Sequence, residues 1–204
     1  MHSHWNENQI HLRGRLTEVP RVSHINHDTT YCLLPLAVRR LSGAEDRLHV
    51  VAARPLLEGL TLEPGAPLGV RGEVRTFNNR SGVGSKLVVS VFAKALFQAE
   101  RAEDENRLEL AGTLCKPPAL RSTPLGRTIC DMILAVNRRY GRADYLPCIA
   151  WGSLAHRCGA MAVGAPLHLA GRLQSRDYTK EIDGQLQART AFEVSIMSLL
   201  PPGP

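Results

Sequence analysis

The chain has 204 residues, 44% of them hydrophobic, and carries a net charge of +6 with a pI near 9.4. That is enough for one large domain or two small ones with a real core, and no run is long and apolar enough to span a bilayer. The N-terminal MHSHWNENQIHLRG lacks the apolar stretch of a secretory signal, so a cytoplasmic protein is expected, and the positive charge leans only weakly towards a polyanionic partner, because basic solvated surfaces are common.

In chain order, the first recognisable block is NQIHLRGRL at Asn8–Leu16, followed by LAVRR at Leu36–Arg40 and GAPLGVRGEV at Gly65–Val74. Each returns later: NRLELAGTL at Asn106–Leu114, LAVNR at Leu134–Arg138 and GAPLHLAGRL at Gly164–Leu173. The offset is 98 for the first two and 99 for the third, and Asp46 and Leu48 fall on Asp144 and Leu146. A near-constant offset over three blocks marks two copies of one domain. The charged stretch QAERAEDEN between them has no apolar periodicity and reads as a linker. The expected division is a first domain at 6–97, a linker at 98–105 and a second domain at 106–200.

The second copy shows the elements most clearly. Leu108, Leu110, Gly112 and Leu114 alternate with polar or small residues as a first strand. Residues 127–137 predict a second strand and 145–151 a third, preceded by turn chemistry at Gly141–Asp144. Ser153–Ala162 has helical spacing between Gly152 and Gly164. Leu167, Leu169, Gly171 and Leu173 alternate as a fourth strand, 187–198 gives a fifth, and DYTKEIDG at Asp177–Gly184 lies in the hairpin joining them. Three strands, a short helix and two strands in each copy is the order of an OB-fold, so the expectation is an all-β chain of two tandem five-stranded OB-fold barrels, each with a short helix between strands three and four. Gly112 and Gly171 are expected where strands bend or bulge.

Five cysteines, Cys32, Cys115, Cys130, Cys148 and Cys158, are an odd number with no C-x-x-C pair, which reads as reduced, mostly buried thiols. Only His24 and His27 approach zinc-ligand spacing, no partner pair is evident, and they read as loop histidines. No metal or cofactor is expected. No Gly-rich phosphate loop, paired carboxylates or nucleophile–base set appears at usable spacing, so nothing supports an enzyme.

The aromatics are more informative. In the third strand Tyr145 and Trp151 share one parity, and Leu146, Cys148 and Ala150 the other. If the small and apolar set faces the core, the two aromatics face outward, roughly 20 Å apart along the strand. Tyr140 flanks the same hairpin, Tyr178 opens the hairpin between strands four and five, and Arg138, Arg139, Arg172 and Arg176 lie among them. Arg172, Gln174 and Arg176 are expected on one outer face. Outward rings interleaved with arginines suit single-stranded nucleic acid, where bases stack on rings and arginines neutralise phosphates. Strands also favour Tyr and Trp for packing alone, and the arginines by themselves carry little weight.

Over nearly the whole second copy, NRLELAGTL, LAVNRRYG, ADYLPCIAWG, GAPLHLAGRLQSRDYT and FEVSIMSLL follow in order the pattern of the bacterial single-stranded DNA-binding protein family, which this copy resembles. The resemblance implies an OB-fold that coats single-stranded DNA in replication, recombination or repair, associated with the nucleoid, with base-stacking positions at Tyr140, Tyr145, Trp151 and Tyr178. It also implies four OB-folds per assembly, hence a homodimer of this two-copy chain. The first copy departs from the pattern: Ser42, Arg47 and Ala53 stand at the positions of Tyr140, Tyr145 and Trp151, and Glu73 stands where Arg172 does. It is expected to keep the barrel and to have lost the platform, with Phe77, Asn78, Asn79 and the Gly82–Lys86 stretch as its remaining surface. The chain ends at SLLPPGP without the acidic tip usual in the family, so recruitment of partners through such a tip is not expected. The alternative expectation, an OB scaffold resembling primosomal OB proteins and acting mainly on other proteins, is set against the four-aromatic platform of the second copy.

Overall fold

The computed structural model describes residues 8–79, 87–100, 103–138, 141–182 and 184–201. It is nearly all β. The first repeat contains β1 (Asn8–Leu16), β2 (Arg21–Asn26), β3 (Thr29–Arg39), β4 (Glu45–Ala53), a four-residue 3-10 turn (Arg54–Leu57), β5 (Pro67–Asn78) and β6 (Leu87–Gln98). The second contains β7 (Glu105–Leu114), β8 (Ala119–Ser122), β9 (Thr128–Asn137), β10 (Ala143–Trp151), α1 (Ser153–Gly159), β11 (Pro166–Ile182) and β12 (Gln185–Leu199). No helix among the described residues is long and apolar enough to cross a membrane.

The two repeats share one pairing scheme. The order is β2-β3-β4-β6-β5-β1 in the first and β8-β9-β10-β12-β11-β7 in the second, with β1 also pairing β3 and β7 also pairing β9. β4 with β6 and β10 with β12 run parallel, whereas β1 with β3 and β5, β2 with β3, β3 with β4, β5 with β6, β7 with β9 and β11, and β9 with β8 and β10 are antiparallel. The first strand of each repeat therefore serves two partners. β1 pairs β5 from Ile10 to Arg15 and β3 at Arg15 and Leu16; β7 pairs β11 from Leu108 to Thr113 and β9 at Thr113 and Leu114.

Glycine permits that change of partner. A side chain at Gly112 would place its Cβ 2.6 Å from the Ala135 carbonyl oxygen and 2.9 Å from Leu134 Cγ. Gly14 is crowded in the same way by Ala37 and Val38. A backbone this close to its neighbour tolerates only glycine. Gly171 approaches the Ser195 carbonyl, and Gly72 sits at the bulge of the β5–β6 ladder.

The cores follow from period-two alternation. Ile10, Leu12, Leu16, Leu34, Leu36, Leu48, Val50, Leu68 and Val70 fill the first; Leu108, Leu110, Leu114, Met132, Leu134, Val136, Leu146, Cys148, Ala150, Leu167 and Leu169 fill the second. Buried among them are two carboxylates, Asp46 and Asp144, each fully shielded from solvent.

Several expectations change. The short edge strands β2 and β8 were not foreseen, because every residue in them is exposed and no burial period marks them. His24 lies on β2 and not in a loop, and His27 forms, with Asp28, the turn to β3, both at positive φ, as a two-residue hairpin turn requires. The helix of the first repeat is only the 3-10 turn, and α1 stops at Gly159, short of Ala162. β11 and β12 reach 17 and 15 residues, absorbing most of DYTKEIDG into strand; Tyr178, Thr179 and Ile182 are strand-forming residues, and Gly184 at φ 75° belongs to the turn. Spatially, Leu108–Leu173 groups with the chain from Phe192 onwards, whereas Gln9–Arg107 groups with Gln174–Ala191, the far ends of β11 and β12.

Candidate nucleic-acid interface

Strand β10 alternates as expected at its ends. Asp144, Leu146, Cys148 and Ala150 are buried, whereas Tyr145 is 52% and Trp151 40% exposed. Between the two rings the outer parity is covered, since Pro147 is half-buried and Ile149 is buried. The outer surface of β10 therefore offers two separated aromatics and not a continuous stripe. The β9–β10 register places Tyr145 opposite Ala135 and Trp151 opposite Ile129. Ile129 is buried and gives the indole an apolar neighbour, while Ala135 is too small to shield the Tyr145 ring.

Arg138, expected among the phosphate contacts, is paired with the buried Asp144. Its Nε donates to Asp144 Oδ2 at 2.6 Å, and a terminal amino group donates to Oδ1. The first repeat holds the same pair: Arg40 donates to Asp46 through Nε at 2.8 Å and a terminal nitrogen at 2.5 Å. In both repeats the bidentate fork crosses the β-hairpin neck and neutralises a buried carboxylate.

The other predicted residues are placed as follows. Arg172 is half-buried on β11. Gln174 is buried, so it does not share an open face with the arginines on either side. Arg176 is exposed, and its guanidinium lies 5.8 Å from the centre of the half-buried Tyr178 ring, a cation–π contact that holds the ring beside a positive charge. Arg176 and Tyr178 belong to the compact group containing the first repeat, whereas Tyr145, Trp151 and Arg172 belong to the other. Arg139 and Tyr140 lie outside the described residues, as does Gly82–Lys86.

The cysteines are chemically quiet. All five are free, and four are buried. Burial pushes the Cys148 thiol far up and the Cys158 thiol to about 11, so neither is a thiolate nucleophile near neutrality. Among the described residues no group of three or more His, Cys, Asp or Glu could hold a metal ion.

Sequence reasoning missed one group. In the first repeat, His24 stacks on Tyr31 with ring centres 4.8 Å apart and planes 9° apart, and Tyr31 meets Phe92 at 5.7 Å. These rings stand at positions where the second repeat has none, as Ile129 stands in the place of Tyr31.

Nearly all-β repeats, each with a first strand that pairs two partners and glycines at matched close approaches, fit the OB class of fold. Residues 105–200 match the model of the single-strand binding protein family. Single-stranded DNA-binding protein A of Bacillus subtilis (strain 168) is 33% identical over 104 residues, which cover 48% of this chain and 60% of that protein. Single-stranded DNA-binding protein 2 of Listeria innocua is 34% identical over 87 residues, 39% of this chain and 54% of that protein. The chain thus spans little more than half the length of these relatives. The crystal structure of wild-type single-stranded DNA binding protein from Thermus aquaticus matches 97% of this chain and 93% of its own, with a TM-score of 0.75 and 26% identity. The match to the single-strand binding protein family thus covers the second repeat.

Proposed function

We propose that the chain binds and coats single-stranded DNA without catalysis, in replication, recombination or repair. The observation that carries this reading is the pair Tyr145 and Trp151, solvent-exposed on a strand whose opposite parity is core, in the repeat that matches the family. Stacking of a base on such a ring contributes about 1–3 kcal/mol and tolerates any sequence. Tyr178 with Arg176, Arg172, and, by resemblance, Tyr140 and Arg139 extend the interface. Arg138 acts through the fold, as the partner of Asp144.

The same reading takes 6–97 and 106–200 as two five-stranded OB barrels joined by 98–105. It is supported by the strand that pairs two partners in each repeat, which brings β1 back to β3 and β7 back to β9. Two such chains would supply four barrels, and closed two-fold symmetry is the commonest solution for a homo-oligomer.

The test is a salt titration with a fluorescent oligo(dT). Each neutralised phosphate releases counterions, so log K should fall linearly with log salt by about 0.7 for each contact on a single strand. Duplex DNA of the same length should bind more weakly. A flat salt response, or tighter binding to duplex, would overturn the reading.

A further inference from the structure

We propose that the first repeat carries its own base-stacking platform, built from Tyr31 and Phe92 with Lys94 beside them, at a position shifted by one strand from that of the second repeat. The proposal rests on the reading of the second repeat as a single-strand binder.

The shift is visible in the register. Tyr31 on β3 pairs with Ala53 on β4, and Ile129 on β9 pairs with Trp151 on β10. The residues of the two pairs differ by 98 in number, so they are one rung of the same ladder. The second repeat has its ring on the third strand of the ring order and an aliphatic residue opposite; the first repeat has a small residue on that strand and the ring opposite.

The strand spacing then determines where the rings stand. β4 lies between β3 and β6, and strands are about 4.8 Å apart, so β3 and β6 are separated by roughly 10 Å. Tyr31 and Phe92 approach to 5.7 Å between ring centres only by leaning towards each other over β4. Val51 pairs with Phe92 and Ala53 with Tyr31, and these small side chains leave the room. The aromatic surface thus stands over the third strand, as Trp151 does in the second repeat.

Two further features favour a nucleobase as the occupant. His24 already lies flat against Tyr31, on an edge strand with no buried residue. That face of the tyrosine accepts a planar heterocycle, and a base displaces the imidazole without disturbing the core. Lys94 Nζ sits 5.3 Å from the centre of the Phe92 ring, with its side chain half-exposed, where it can meet a phosphate. Glu73, opposite Phe92 in the β5–β6 ladder, is paired with Arg75 and lies 3.6 Å from Lys94. Its charge is met by two cations.

The experiment uses the whole chain with oligo(dT) of about 12 nucleotides, within the length one OB-fold covers, and of about twice that length. The double variant Tyr31→Ala/Phe92→Leu should weaken binding of the longer strand roughly tenfold and shorten the length occluded per chain, with the shorter strand nearly unaffected. Tyr31→Phe, which keeps the ring, should behave as wild type. The proposal is overturned if the double variant leaves the longer strand's affinity and occluded length unchanged while Trp151→Ala weakens both strands. It is also overturned if the double variant alters only the mass seen by light scattering, which would make this face a protein contact. Failure of Trp151→Ala to affect either strand would instead overturn the reading of the second repeat, and the proposal with it.

Discussion

Replacing Trp151 by Ala is expected to lower the affinity for oligo(dT) by about 1–3 kcal/mol, or roughly five- to 150-fold. The indole is 40% exposed, at the end of β10 and opposite the buried Ile129, so its removal takes away a stacking surface and little core. Stability should therefore change much less than affinity. The matched position in the first repeat, Ala53, makes the control: Ala53→Ser removes no ring and should leave binding unchanged. Fluorescence anisotropy on the two variants reads the difference. Equal losses from both, or a Trp151→Ala protein that binds as tightly as wild type, would show that β10 is not the contact surface.

The second large effect is on stability. Replacing Arg138 by Met leaves the fully buried carboxylate of Asp144 without its bidentate guanidinium. Breaking a buried pair from one side costs about 3–5 kcal/mol, because a charge is left in a poorly solvating interior. For a unit of about 100 residues that is a fall in melting temperature of more than about 10 °C. The double change Arg138→Met/Asp144→Leu should recover much of the loss, because it removes both charges together. Below the melting transition, Arg138→Met should keep the salt dependence of DNA binding nearly intact, since the guanidinium serves Asp144. Chemical denaturation and a salt titration on one preparation test both statements. A stable Arg138→Met protein with a reduced salt slope would return Arg138 to the interface.

The residues that were legible in the sequence are those whose signal is local. Tyr145 and Trp151 differ in parity from Leu146, Cys148 and Ala150, and a period of two is enough to face them outward. Gly112 and Gly171 stand out as glycines inside alternating strands, and both prove to be points where a side chain would strike a neighbouring carbonyl. The buried pair was half-legible. Asp144 has the parity of the core and recurs as Asp46, with Arg138 recurring as Arg40, but a charge among arginines reads first as surface. Its pairing partner sits across a hairpin, and only the register brings them together.

The Tyr31–Phe92 pair lay out of reach for a similar reason. No position-by-position comparison of the copies connects β3 to β6, because the contact depends on which strand lies between them and on how small that strand's residues are. Likewise β2 and β8 carry no burial period, so alternation could not reveal them. The parts that sequence could not supply are thus cross-strand facts, in a fold whose stabilising contacts are mostly cross-strand.

The most direct test of the central claim follows from the tryptophan count. The chain has two tryptophans, Trp5 and Trp151, so Trp5→Phe leaves Trp151 as the sole indole reporter. Titration of that variant with oligo(dT) should quench its emission saturably, at the concentrations where anisotropy reports binding, and salt should reverse both signals together. Base stacking on Trp151 requires that coincidence. Binding by anisotropy with the Trp151 emission unchanged would place the DNA on another surface and contradict the assignment of β10 as the interface.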